Sequence, residues 1–188
     1  MKNTDDHISL RPITADNVFA VIELSDTLRY GQQRFVAANA ISLAQAYADP
    51  QAWPRGIYCD DTPVGFLILE DETAKSQYFL WRLVIGGEFQ GKGYGRRAIE
   101  QLVDSVRTRP GAAELLFSYE PGEGSPEKFY EFLGFLPNGK MYDDEVGLML
   151  SLAAKALPPP AKPPPPALAN MAECTFLNLD KWNKDAHN

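Results

Sequence analysis

Gln90-Gly91-Lys92-Gly93-Tyr94-Gly95-Arg96 joins an apolar, strand-like run, Tyr78 to Ile85, to an amphipathic helical pattern that starts at Gly95. Glycine at alternate positions removes the Cβ atoms that would hold a ligand off the backbone, and it permits the positive φ of a tight strand-to-helix turn. The first amides of a helix lack internal partners and lie at the positive end of its dipole, so this junction suits an anionic phosphate group. Two other glycine motifs fail on spacing. A phosphate loop of the nucleotide triphosphatases needs Ser or Thr after Gly-Lys, and Lys92 is followed by Gly93. A dinucleotide fingerprint opened at Gly91 needs Gly at its sixth place, where Arg96 stands.

Working outward, the pattern alternates strands and helices. His7 to Ile13 reads as a strand and Asn17 to Leu28 as a helix. Ser42 with Gln45 three places on reads as a capping box opening a second helix, which Asp49-Pro50 stops. Trp53 to Cys59 and Val64 to Glu70 flank Asp60-Asp61-Thr62-Pro63 as a hairpin. The nearly continuous apolar run Tyr78 to Ile85 reads as a central strand covered on both faces, interrupted by Arg82, whose guanidinium needs a carboxylate or a ligand. Ala98, Ile99, Leu102, Val103 and Val106 form one helical stripe. Glu114 to Tyr119 is a further strand, Ser125-Pro126-Glu127 opens a helix with Ser125 as its cap, and Phe135-Leu136 and Val146 to Leu152 read as the last strands.

The chain has 188 residues and is 45% hydrophobic, enough for one domain with a core, with a net charge of −7. The expected organisation is a domain over 1–152, a Pro-rich linker over 153–170 and a tail over 171–188, because Pro158 to Pro160 and Pro163 to Pro166 suit neither helix nor sheet interior. The acidic excess lies in the first of these, which argues against nucleic acid and for a cationic partner. Two cysteines and two histidines near the termini make neither a disulfide framework nor a zinc site, so no metal is expected. The N-terminal residues carry neither a secretion signal nor a membrane span, which gives a cytoplasmic expectation with no membrane partner.

Gln90, Gly93 and Gly95 fit the pyrophosphate loop of the GNAT N-acetyltransferases, which the stretch resembles. Phe129-Tyr130-Glu131-Phe132-Leu133-Gly134-Phe135 resembles the Phe-Tyr-x-x-x-Gly-Phe signature of the same family, in the right order after the loop. Gln32 to Tyr47 and Tyr78 to Leu83 look like the corresponding segments of bacterial spermine/spermidine (diamine) acetyltransferases. The resemblance implies an α/β fold: a mixed, mostly antiparallel central sheet flanked by helices on both faces, with a splayed central strand pair for acetyl-CoA. It implies that the backbone of Leu83, Val84 and Ile85 pairs with the pantetheine arm, and that Gln90, Gly91, Lys92, Gly93, Tyr94, Gly95 and Arg96 hold the pyrophosphate. Tyr130 is implied as the acid that protonates the departing thiolate, and Asn39 and Ser42 as substrate-side residues. The implied reaction is direct acetylation of a primary amine of a polyamine, in a chain free to form a homodimer. Other acceptors (an amino sugar, an antibiotic, a protein N-terminus) and a non-catalytic acyl-CoA-binding module are the alternatives. Glu72, Glu120 and Glu123 are the candidate bases. Two departures from the pattern are Gly86-Gly87, where an acidic residue is usual, and Glu123, where the signature has asparagine.

Overall fold

The computed structural model describes residues 6–33 and 37–153. Arg34 to Val36 of the Gln32–Tyr47 segment, the tail and all of the Pro-rich linker except its first residue, Ala153, lie outside the described residues.

The strands are β1 (Ile8–Pro12), β2 (Ala52–Cys59), β3 (Thr62–Glu72), β4 (Gln77–Ile85), β5 (Glu114–Tyr119), β6 (Leu136–Tyr142) and β7 (Glu145–Ser151). The helices are α1 (Val18–Glu23), α2 (Tyr30–Gln33), α3 (Asn39–Ala48), α4 (Tyr94–Arg107) and α5 (Glu127–Phe132). The strands form one seven-stranded sheet in the order β1-β2-β3-β4-β5-β7-β6, antiparallel except at the centre, where β4 and β5 run parallel. A parallel neighbour requires a crossover, and α4 supplies it.

Each face of the sheet carries its own core. On one face the α4 stripe of Ala98, Ile99, Leu102, Val103 and Val106 packs with Tyr130 and Leu133 from the α5 segment against Leu67, Leu80, Leu83, Leu115 and Phe117. Burying each large aliphatic chain of that stripe contributes about 1.5–3 kcal/mol. On the other face Val21 of α1 and Ala46 of α3 cover Phe66, Ile68, Phe79, Trp81 and Leu116.

β4 changes parity in mid-strand. Ile68 of β3 pairs with Arg82 but Leu69 pairs with Leu80, which leaves Trp81 as an extra residue, a β-bulge. Leu80 and Leu83 therefore both face α4, and Trp81 and Arg82 both fall on the α1/α3 face.

Several local expectations differ from the structure. The first helix is divided, α1 passing into a tight 3-10 turn over Leu24–Thr27. The capping box does not form: α3 starts at Asn39, three residues before Ser42. The first-turn amide of Asn39 donates instead to the Ser25 hydroxyl (3.1 Å), so a cap is supplied from another element. The hairpin turn is only Asp60-Asp61, with Asp60 at φ +53°, and Pro63 lies inside β3. Pro126, not Ser125, is the N-cap of α5, without a side-chain hydrogen bond.

Candidate functional site

β4 and β5 touch at a single register pair, Phe79 with Leu116, and beyond it they part. Among the described residues no strand pairs with the edge of β4 from Leu80 to Ile85 on that side. Gly86 N–H donates to Val64 O (3.0 Å), so its backbone faces β3. Alternation along the strand turns Ile85 and Leu83 the other way, toward the split, while Val84, opposite Phe66, faces β3. In keeping with this, Ile85 O accepts from the Gln90 side chain (2.9 Å).

The glycine loop lies at the end of β4. Gly91 (φ +74°) and Gly93 (φ +81°) take the left-handed conformation, and Gly93 caps the 14-residue α4 with no side chain on the helix amides. A Cβ on Gly93 would have no heavy atom within 4 Å, so the space outside this turn is open. Bare helix-end amides facing open space fit a diphosphate. The residues present fit acetyl-CoA: bare helix-end amides suit a pyrophosphate, and the split-side edge of β4 suits an extended arm.

The side chains of the loop also make contacts within the fold. Gln90 is buried, clipped to Ile85 O and accepting from the Gln32 amide (3.0 Å), which ties α2, β4 and the loop together. Lys92 Nζ lies 5.3 Å from the Phe89 ring centroid, Gly95 is buried, and Arg96 pairs with Glu100 (2.8 Å). Tyr94 points to Cys59 and Asp6; the hydrogen bond with Cys59, then burial, pushes its hydroxyl up to about 12.

Gly86 and Gly87 have a steric explanation. A Cβ on Gly87 would lie 2.1 Å from Thr27 O, and one on Gly86 would lie 2.8 Å from Leu24 Cδ2. Gly87 N–H also donates to Thr27 Oγ1 (2.8 Å). The 3-10 turn sits against this corner, so an acidic side chain has no room there.

Tyr130 is fully buried on α5, with its ring stacked on Phe117 (centroids 3.8 Å apart) and edge-on to Phe129 and Phe135. Phe117 directly follows Leu116, so Tyr130 stands where the two strands separate, on the α4/α5 face. Asn39 and Ser42 are buried at the start of α3. The Asn39 amide donates to Val21 O (2.7 Å), binding α3 to α1, while Asn39 Oδ1 and Ser42 Oγ have no hydrogen-bond partner among the described residues.

The candidate bases are scattered. Glu72 lines a cavity of about 200 Å³ at the closed end of the strand pair and pairs with Lys75 (3.0 Å), while Glu120 and Glu123 are exposed. What sequence reasoning missed lies on the α1/α3 face at the split. There Arg82 of β4, Ser118 of β5 and Glu145 of β7 share a face: the Ser118 hydroxyl donates to Glu145 Oε2, the Arg82 Nη1 donates to Trp81 O (2.9 Å), and the Glu145 charge acts on Arg82. Burial holds the Arg82 guanidinium down to about 10, with Glu145 opposing that shift. Arg82 in an apolar strand was the signal that a carboxylate or a ligand must lie near; the position of a carboxylate in sequence was not readable.

Residues 22–135 match the model of the acetyltransferase (GNAT) family. The spermine/spermidine N(1)-acetyltransferase of Bacillus subtilis (strain 168) is 21% identical over 140 residues, covering 71% of this chain and 91% of that protein. The crystal structure of PaiA N-acetyltransferase from Thermoplasma acidophilum in complex with coenzyme A aligns with a TM-score of 0.59 at 15% identity, covering 77% of this chain and 99% of that one. A chimera of the spermidine N-acetyltransferase SpeG from Vibrio cholerae and hSSAT aligns with the same TM-score of 0.59 at 16% identity, covering 78% and 96%.

Proposed function

Since the chain belongs to the acetyltransferase (GNAT) family, whose fold uses acetyl-CoA, we propose that it transfers the acetyl group to a primary amine of a polyamine, spermidine or spermine, by direct attack. The observation that carries the reading is the parting of β4 and β5 after one pair, beside a glycine-opened helix N-terminus. The polyamine part is supported by the relatives' substrates and by the acidic net charge, which concentrates polycations near the surface.

Acetyl-CoA supplies an acetyl thioester whose carbonyl carbon accepts the amine. The Gly91–Gly95 amides and the α4 dipole bind the diphosphate. The outward-facing backbone of Leu83 and Ile85 aligns the extended arm as an added strand would, and an amide of that edge polarises the thioester carbonyl. Tyr130 donates its phenolic proton to the leaving thiolate. A phenol near 10 can serve a thiolate whose conjugate acid, if cysteine-like, lies near 8.5. The surrounding Phe117, Phe129 and Phe135 fix the phenol ring and exclude water. Asn39 and Ser42 lie on the acceptor side, with hydrogen-bonding capacity to spare.

The test is thiol release from acetyl-CoA with a panel of spermidine, spermine, diamines, amino sugars and peptide N-termini. Turnover is expected with the polyamines at the highest kcat/KM. Preference for a peptide or an amino sugar overturns the acceptor assignment, and absence of turnover with every amine overturns the enzymatic reading.

A further inference from the structure

Direct attack on a thioester needs a neutral amine, and a polyamine nitrogen is an ammonium at neutral pH, so a proton must be accepted on the acceptor side. Directly after β4 the Thr27 contact leaves no room for a side chain at Gly87, and the next residue, Glu88, is exposed. Among the described residues Glu145 is the only acidic residue that is buried. It projects from the start of β7 on the α1/α3 face, the same face as Arg82 and Ser118, and those two residues stand on the two strands that separate. Tyr130 lies on the opposite face, stacked on Phe117, so a phenol and a carboxylate bracket one gap in the sheet.

We propose that Glu145 is the acceptor-side catalytic carboxylate: it meets the incoming amine at the α1/α3 mouth of the split and takes up the proton that nitrogen surrenders. The ammonium first passes one proton to Glu145, the N–C bond forms, the C–S bond breaks, the second nitrogen proton leaves to solvent as the adduct collapses to the amide, and the thiolate takes the Tyr130 proton. Both side chains then return to their starting states by exchange with solvent. Ser118 orients the carboxylate through Oε2, and Arg82 lies on the same face of the sheet. The other polar neighbours are Tyr142, the β6 register partner of Glu145, and exposed Asp143 and Asp144 in the turn before β7. Of the helices on that face, α1 carries exposed Glu23 and α3 carries no charged residue.

The inference rests on the acyl transfer proposed above but not on the acceptor being a polyamine. The experiment is kcat/KM of Glu145→Gln against wild type from pH 7 to 9 with saturating acetyl-CoA and spermidine, together with acetyl-CoA affinity. Expected is a loss of about 10²-fold or more at pH 7, unchanged acetyl-CoA affinity, and a gap that narrows at least about tenfold by pH 9. The narrowing follows because free amine rises roughly a hundredfold over two units below an amine pKa of about 10.4. A loss that stays constant with pH would mark a structural role and overturn the proposal, as would wild-type activity. If Glu145→Gln does not fold, Ser118→Ala decides: a lower kcat at unchanged acetyl-CoA affinity supports the proposal, and an unchanged kcat overturns it. If wild type acetylates only another amine of the panel, the polyamine reading falls and the same ratio is read on that amine; if it acetylates none, both readings fall.

Discussion

The two faces of the sheet differ in what they bury. The α4/α5 face is aliphatic and aromatic, and what it offers a ligand is backbone: the amides of the glycine loop and the edge of β4. The α1/α3 side holds the buried polar side chains Ser25, Asn39, Ser42, Arg82, Ser118 and Glu145. Backbone recognition suits a co-substrate that is invariant from turnover to turnover, whereas side chains discriminate among acceptors. The difference teaches that one face can be conserved in chemistry while the other is retuned.

The largest effect expected from breaking this division is at Tyr130. Tyr130→Phe keeps the ring packing on Phe117 and removes the proton, so kcat should fall by about 10² to 10⁴ with acetyl-CoA affinity within a few-fold. Steady-state kinetics with direct acetyl-CoA titration checks this; full activity would shift the acid role elsewhere. Next comes Gly93→Val, which should abolish the stabilisation by acetyl-CoA, about 2.7 kcal/mol at a hundredfold excess over Kd, as read by thermal shift. Gly93 lies at φ +81°, so the ligand-free variant should also lose about 1–2 kcal/mol from backbone strain. Gly87→Ala sharpens the other side of the comparison: its Cβ overlaps Thr27 O, and the displaced turn should cost about 1–3 kcal/mol in chemical denaturation.

The smallest effect is a pH dependence of stability. Tyr94, raised to about 12 by its Cys59 hydrogen bond and by burial, keeps its proton in the folded chain while an unfolded tyrosine loses it near 10. Tyr119 is raised as well, by burial and then by its bond to Glu127 (2.7 Å). Their contribution is complete below pH 10 and lost as pH rises from 10 toward 12. Arg82 on the other face, lowered to about 10 by burial, works in the opposite direction over that range. The net expectation is a falling melting temperature above pH 10, with a shallower fall in Tyr94→Phe.

The face built from backbone was the legible one. Gln90 to Arg96 and the α4 stripe are contiguous, and their pattern placed the helix within one residue of Tyr94–Arg107 and β5 at Glu114–Tyr119. The α1/α3 face was not, because its residues are brought together only by pairing: Ser118 and Glu145 come together when β5 and β7 align, and Arg82 shares their face because the Trp81 bulge shifts parity. The α3 start was misplaced for a related reason, since its cap is Ser25, 14 residues earlier in the chain.

That bulge also predicts how the chain tolerates change. β4 is two strand segments of opposite parity spliced at one residue, and the extra residue is the joint. Deleting Trp81 itself would restore uniform alternation and leave Leu80, Arg82, Leu83 and Ile85 on the faces they now occupy. A deletion of Val84 with the bulge kept would instead turn Ile85 out of the aliphatic layer under α4. The strand can therefore shorten by one residue at the bulge, and there alone, without inverting either half.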